Sequence, residues 1–372
     1  MNKMQKVTQL FTVVLVVGCF LCWGTGLAFS QTPKGFANYK PNSLTLLVQS
    51  VGGTGHATGT ATASAITDAT GVKVAPIPSS KALERTEILR SKKADIFMDN
   101  SASTTQRWYG TLELNRTGFG PQKIRSLWVC GPQTAGYLTQ KDSGIKKVAD
   151  IKGKRITECP GYDSFNQYLW ALLAFANLTM KDVAIAKFPN YAGAGKSISQ
   201  RKADVTWQTT TAAGAYEAAA SPGGIYWLPL PAEDKAGWAR LQKVCPFFFP
   251  AKATSGAGIA AENPVNIMRY TFVFTSYASL DEKMAYWFTK ELHVLYDQYK
   301  GKNKYMASWT LDECLNIGAG VIPFHPGSIA YFKEIGRWTP ELEKWQQERL
   351  AQEKQMLADW KAKHPQWKSI PE

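Results

Sequence analysis

The chain has 372 residues and a formal net charge of +14, with 45% hydrophobic and 19% charged residues and 13 Trp, 15 Tyr and 17 Phe. That composition excludes a disordered chain, a collagen-like repeat and a coiled-coil rod, and at ~150 residues per domain the length allows two domains or one large one. The basic excess favours anionic partners, yet it is scattered and forms no arginine-rich stripe or aromatic RNA-binding motif, so nucleic acid is not an expected partner.

Residues 1–30 read as a cleavable secretory signal. Lys3 and Lys6 stand without a carboxylate, residues 10–23 are almost wholly apolar, and Ala28 and Ser30 occupy the −3 and −1 positions before Gln31. A lipoprotein site at Val16-Val17-Gly18-Cys19 competes with this reading, but the apolar Phe20-Leu21-Cys22-Trp23 continues straight through it. No later run approaches the ~18 apolar residues of a membrane span. The mature chain, at about +12, is expected to be soluble and exported to the periplasm. It keeps Cys130, Cys159, Cys245 and Cys314, for which disulfides and buried thiols are both open, and no spacing among them resembles a zinc site.

Residues 44–49 form a short apolar run that ends in Gly52-Gly53-Thr54-Gly55, and a helix-compatible stretch over 57–69 stops at Gly71. A second strand is expected over 72–77. Ser79 or Ser80 can cap a helix running to about 91, and a third strand over 94–98 leads into Asn100-Ser101-Ala102-Ser103-Thr104. Farther on the construction returns. A strand over 155–159 enters Pro160-Gly161-Tyr162-Asp163-Ser164, followed by a helix over 165–177, a strand over 183–188, a helix over 195–201, and a strand over 203–207 that opens into Gln208-Thr209-Thr210-Thr211.

One pair of segments marks the repeat. Lys92-Lys93-Ala94-Asp95 precedes the Asn100 loop and Arg201-Lys202-Ala203-Asp204 precedes the Gln208 loop. Alternating strands and helices imply mostly parallel sheets with helices on both faces, here in two lobes. The expected layout is a first lobe over 31–132, a second over 133–243, a return to the first lobe and further helices over 244–336, and a C-terminal helical extension over 337–372. In that extension Thr339 and Pro340 mark the N-cap and first turn of a helix over 341–363, ~35 Å long.

In open parallel sheets, ligands bind beyond the carboxyl ends of the strands, where helix N-termini offer unpartnered N–H groups to anions. Each such helix end contributes only ~0.3–2 kcal/mol, so several must converge and both lobes must close on the ligand. The candidate ligand-binding residues are therefore Gly53, Thr54, Gly55, His56, Asn100, Ser101, Ser103, Tyr162, Ser164, Trp207, Gln208, Thr209 and Thr210. Caps, turns and core packing are the competing roles for each. The hydroxyls of Thr209 and Thr210 are expected to face a wet cleft, and Asp163 to cap the helix that follows it.

No Gly-Lys-Ser/Thr follows the first glycine loop, and no Gly-x-Ser-x-Gly or His-Glu-x-x-His pattern appears. Catalytic residues, metal ligands and cofactors are accordingly not expected. His325, between Phe324 and Pro326, is expected to be structural.

The exported leader, the Gly52-Gly53-Thr54-Gly55 loop, Asp150-Ile151-Lys152-Gly153-Lys154-Arg155, Tyr191, Pro246-Phe247-Phe248-Phe249-Pro250-Ala251 and Ile322-Pro323-Phe324-His325-Pro326-Gly327 together resemble the TAXI-family solute-binding proteins of tripartite ATP-independent periplasmic (TRAP) transporters. The resemblance extends over most of residues 44–336. It implies a monomeric two-lobed periplasmic binding protein that delivers a small organic anion, often a dicarboxylate or an acidic amino acid, to the membrane permease subunits of such a transporter, and it adds Tyr191 to the candidate ligand-binding residues. An ABC-type binding protein and an exported enzyme acting on small acids are the alternatives. His56 after Gly55, the Thr/Ala-rich helix, and Cys159-Pro160-Gly161-Tyr162-Asp163-Ser164 depart from the family's usual Gly/Ser/Thr loops.

Overall fold

The computed structural model describes residues 34–316 and 322–367; the signal segment and the competing Cys19 site lie outside them. The first lobe begins β1 (Ser43–Val48), α1 (Thr54–Thr70), β2 (Lys73–Pro78), α2 (Ala82–Arg90), β3 (Ile96–Asn100), α3 (Ser101–Tyr109) and the short α4 (Glu113–Arg116), and β4 (Ile124–Gln140) leads out of it. The second lobe holds β5 (Arg155–Glu158), α5 (Asp163–Phe175), β6 (Ala184–Lys187), α6 (Tyr191–Ser199), β7 (Thr206–Thr209), α7 (Ala213–Ala220), β8 (Ile225–Leu228), α8 (Lys235–Val244) and β9 (Phe249–Ala253). The chain then runs back through β10 (Val265–Tyr277) to α9 (Glu282–Val294), α10 (Tyr296–Tyr299), α11 (Leu311–Cys314), α12 (Pro326–Glu334) and α13 (Pro340–Lys363).

One sheet runs in the order β2-β1-β3-β10-β4-β7, with β8 also on β4 and β9 also on β10, while β5 and β6 form a parallel pair bridged to the β7 edge through Ile156 and Val205. Pairing of β1 with β2 and β3 is parallel; β10 with β3 and with β4, and β4 with β7 and β8, is antiparallel. The fold is therefore a two-lobed, mixed α/β arrangement in which the large sheet runs through both lobes and is flanked by helices. The crossing between them lies inside β4 and β10 rather than in a linker. At that crossing the register slips between Thr271 and Val273, beside Pro132 of β4. Pro lacks a ladder donor, and such an irregularity is where a strand tolerates it.

Period-two burial explains the layers. Leu46, Val48, Ile96 and Met98 join the core that holds Ala63 and Ile66 of α1, whereas Leu47 and Phe97 pack with Leu89 of α2 on the opposite face. The Thr/Ala/Gly composition of α1 lets it lie close: a Cβ on Gly59 would stand 2.5 Å from Val48 Cγ1. Two of its buried hydroxyls are spent inside the helix, Thr58 on Thr54 O at 2.8 Å and Thr62 on Thr58 O at 2.9 Å.

Boundaries shift where local chemistry overrides the pattern. Lys81, not Ser79 or Ser80, is the N-cap of α2, and the Ser79 hydroxyl donates instead to Glu84 at 2.7 Å. Helix α6 starts at Tyr191, four residues early, because Asn190 caps it by accepting from Gly193 N at 2.9 Å. Helix α13 starts as expected, Thr339 accepting from Leu342 N at 3.2 Å with Pro340 in the first turn. It is fastened to the first lobe by a buried bidentate pair, Arg125 donating to Glu353 at 2.7 and 2.8 Å, with Trp108 Nε1 also on Glu353 at 3.0 Å.

His325 is fully buried and caps α12, its Nδ1 accepting from Gly327 N at 3.1 Å. The four cysteines of the described chain are free, buried thiols, and burial pushes Cys159 up to about 12. Among the described residues no helix is long and apolar enough to cross a membrane, and no group of three or more His, Cys, Asp or Glu could hold a metal ion.

Candidate functional site

The loops at the carboxyl ends of β1 and β3 meet those of β5 and β7 across the lobe boundary. Thr54 and Thr209 hydroxyls lie 2.7 Å apart, and Thr54 also bonds Thr211 at 3.1 Å. The Tyr168 hydroxyl donates to Asn100 Oδ1 at 3.1 Å, Gln106 donates to Gln167 at 2.6 Å, and Arg116 pairs with Asp163. The lobes are thus closed on each other.

Between them lies a cavity of about 20 Å³ lined by Gln49, Ser50, Gly53, Thr54, Asn100, Tyr162, Phe165, Tyr168, Tyr191, Trp207, Thr209, Tyr270 and Phe272. Residues at the start of four helices reach it: Gly53 and Thr54 at α1, Asn100 at α3, Tyr162 at α5 and Tyr191 at α6. That is the convergence an anion site needs. The remaining wall is aromatic, with Tyr168 and Trp207 ring centroids 4.4 Å apart and Trp207 and Tyr270 5.6 Å apart. Burial pushes the Tyr162, Tyr168 and Tyr191 hydroxyls upward, so they act as neutral donors and acceptors.

Three polar atoms of lining residues are buried without a hydrogen-bond partner: Gln49 Nε2, Ser50 Oγ and Trp207 Nε1. Leaving such atoms unpaired costs ~1–3 kcal/mol each, so each calls for a partner, water or a solute, inside the cavity. The glycines make room for them. Gly52 takes a φ of +84°, which a side chain would strain, and a Cβ on Gly55 would sit 2.7 Å from Gln49 Oε1 and 2.8 Å from Phe272.

Seven of the fourteen residues expected from sequence line this cavity: Gly53, Thr54, Asn100, Tyr162, Tyr191, Trp207 and Thr209. Gly55 supports it from behind. His56 is half-buried on the first turn of α1 and does not line it. Ser103, Ser164 and Gln208 are buried but lie outside its lining, and Gln208 Nε2 reaches the Tyr191 carbonyl at 3.5 Å. Ser101 lines an adjoining cavity of about 460 Å³ with Phe247, Arg269 and Arg349, and Tyr270 is a wall of both.

Thr209 and Thr210 do not face a wet cleft: both are buried, and the Thr210 hydroxyl is spent on Thr134 at 2.8 Å as Thr209's is on Thr54. Asp163 caps nothing and instead carries the interlobe pair with Arg116.

The residues expected from sequence leave out Gln49, Ser50, Phe165, Tyr168, Tyr270 and Phe272. Gln49 and Ser50 directly follow β1, at the strand end where ligands are sought. Tyr162, Phe165 and Tyr168 recur every three residues along one helical face, and Tyr270 and Phe272 alternate along β10, spacings that place each set on one surface.

Charged residues stand just behind the cavity. Asp99 accepts from Asn100 N at 2.8 Å and pairs with Arg107. Burial first, then Asp163, pushes Glu113 up to about 7, while Arg85, Arg107 and Arg116 pull it back.

Among solved structures, the chain is similar to the periplasmic aliphatic sulphonate binding protein SsuA of Escherichia coli, at 14% identity and a TM-score of 0.45 over 89% of this chain and 90% of that one. It is also similar to PhnD1 of Prochlorococcus marinus in complex with methylphosphonate, at 12% identity and a TM-score of 0.43 over 80% of this chain and all of that one. A third is the alkanesulfonate-binding protein SsuA of Xanthomonas axonopodis pv. citri bound to MOPS, at 14% identity and a TM-score of 0.45, covering 90% and 96%. No curated protein matches the sequence. The model of the NMT1-like family matches residues 47–336, and the chain belongs to that family.

Proposed function

We propose that the protein is a periplasmic solute-binding protein that closes its two lobes on a small organic anion and hands it to the permease subunits of a TRAP-type transporter, acting as a monomer and performing no chemistry itself. The observation that carries this reading is the set of three buried, unpartnered polar atoms, Gln49 Nε2, Ser50 Oγ and Trp207 Nε1, on a cavity where both lobes meet. A solute supplies what these atoms lack, and four helix N-termini bias it toward negative charge. At about 20 Å³ the closed cavity holds little more than a water molecule, so a solute enters only as the lobes part and the aromatic walls give.

The test is a thermal-shift screen of the mature protein over organic acids, amino acids and sulfonates, with each hit recovered and checked for chemical change. A hit is expected to raise Tm by mass action and to return intact. Ser50→Ala combined with Trp207→Phe is expected to weaken it at least tenfold. Turnover of a hit, or a double variant that binds as wild type does, sinks the proposal. The transporter class is tested by reconstitution with the membrane subunits encoded beside this chain's gene: solute uptake is expected to follow a sodium gradient and to ignore ATP.

A further inference from the structure

Arg85 of α2 is fully buried, and its guanidinium is barely satisfied. Nη1 donates to the Ser79 carbonyl at 3.3 Å, whereas Nε and Nη2 have no hydrogen-bond partner. Its cationic carbon lies 5.2 Å from the Phe97 ring centre and 5.9 Å from that of Tyr162, which lines the interlobe cavity. Ser79 in turn donates its N–H to Val48 O at 3.1 Å, which places Arg85 at the strand ends from which Gln49 and Ser50 emerge.

The neighbouring acids do not neutralise it by contact. Asp99 is taken by Arg107, and Asp163 by Arg116. Glu113 contributes attraction without a hydrogen bond to Arg85, and its own Oε1 is also unpartnered. A buried cation without a bonded counter-charge costs several kcal/mol, and ring faces return only ~0.5–2 kcal/mol each. The lining itself contains no charged side chain.

We propose that Arg85 is the counter-charge of the solute, which makes the solute a monoanion whose single acidic head sits at the Tyr162 end of the cavity and whose flat or apolar body packs against Tyr168, Trp207 and Tyr270. This rests on the binding-protein reading and sharpens it. One cation serves one acidic head; the second carboxylate of a dianion would find only neutral donors, Gln49 Nε2, Ser50 Oγ and Trp207 Nε1, and be buried without a counter-charge, a cost that disfavours it.

The experiment compares the wild type with Arg85→Met and Arg85→Gln in thermal shift and calorimetry, using benzoate, 4-hydroxybenzoate and pyruvate as monoanions, succinate and glutarate as dianions, and benzamide as the neutral control. At least one monoanion is expected to bind the wild type, the dianions and benzamide are not, and both variants are expected to lose roughly a hundredfold in affinity. Without solute, Arg85→Met is expected to melt at or above the wild-type temperature, because an apolar group replaces an under-satisfied charge. A variant that binds within threefold of wild type, a wild type that prefers the dianions, or an Arg85→Met protein that is markedly destabilised in buffer overturns the assignment. A wild type that binds benzamide but no acid keeps its solute cleft and overturns only the role of Arg85. One that answers to nothing overturns the cleft itself.

Discussion

The side chains of Thr54 and Thr209, one on each lobe, meet hydroxyl to hydroxyl at 2.7 Å, and Thr54 reaches Thr211 at 3.1 Å as well. A single first-turn residue of α1 therefore latches the cleft to the β7 loop. Thr54→Val keeps the shape and removes both bonds, a loss of about 1–3 kcal/mol from the closed arrangement alone. The lobes are expected to populate open forms, read as a larger radius of gyration in small-angle scattering. An unchanged radius would mean that closure rests on the aromatic contacts.

Gly55 stands where a methyl group would press on Gln49 Oε1 at 2.7 Å and Phe272 at 2.8 Å. Both neighbours line the cavity, so Gly55→Ala acts on the site through two residues it displaces. The expected outcome is a stability loss of about 1–3 kcal/mol together with weaker solute binding. Calorimetry that finds affinity intact would show that Gln49 is not a solute contact.

Much of the fold was legible because the two lobes solve one local problem twice. Asp95 accepts from Thr45 N at 2.7 Å, and Asp204 accepts from Arg155 N at 2.7 Å, each tying its strand to the first strand of its own lobe. The residues three positions earlier, Lys92 and Arg201, both adopt a left-handed turn, with φ of +54° and +56°. The Lys-Ala-Asp repeat thus records a shared helix-to-strand turn and not chance. Strand β4 was not legible, because Gly131 and Pro132 interrupt its apolar run. Gly131 is needed there, since a Cβ would fall 2.0 Å from Ser308 O.

The site was half legible for a related reason. Strand-end loops can be found by their glycines and caps, which is how Gly53, Thr54 and Asn100 were reached, whereas Tyr191 came from the family resemblance. Arg85 sits in the middle of a helix whose pattern reads as an ordinary solvated face, and only the packing of Phe97 and Tyr162 around it shows that it is buried. Whether a hydroxyl is free or already spent, as for Thr209 and Thr210, likewise depends on which lobe lies opposite.

Glu353 accepts from Arg125 in a buried bidentate pair, at 2.7 and 2.8 Å, and joins α13 to β4. Glu353→Gln leaves the guanidinium buried without its charge partner and is expected to destabilise the protein by about 3–5 kcal/mol in urea denaturation. Replacing both residues, Arg125→Met with Glu353→Leu, is expected to recover most of that loss. A single variant that unfolds at the wild-type urea midpoint would mean α13 is not an integral part of the first lobe.

His325 gives the protein a pH dependence that can be isolated. Burial first, and the Arg125 charge next, lower its imidazole from the usual 6.5 to about 4. Between those values the unfolded chain takes up a proton that the native chain refuses, so this residue's contribution to stability is complete above pH 6.5 and falls as the pH drops toward 4. The full effect is on the order of 3 kcal/mol. Glu113, pushed up to about 7, works in the opposite sense, because between its ordinary 4.5 and that value the native state holds the extra proton. Comparing wild type with His325→Asn cancels Glu113, since both proteins carry it. Asn preserves an N-cap acceptor for Gly327 N and has no proton to gain. Urea denaturation from pH 7.5 to 4.5 is expected to show wild type losing about 2–3 kcal/mol relative to the variant, most of it below pH 6.5. A stability difference that stays constant across that range would show that His325 titrates in the native state as a solvated histidine does, and that its burial is not maintained.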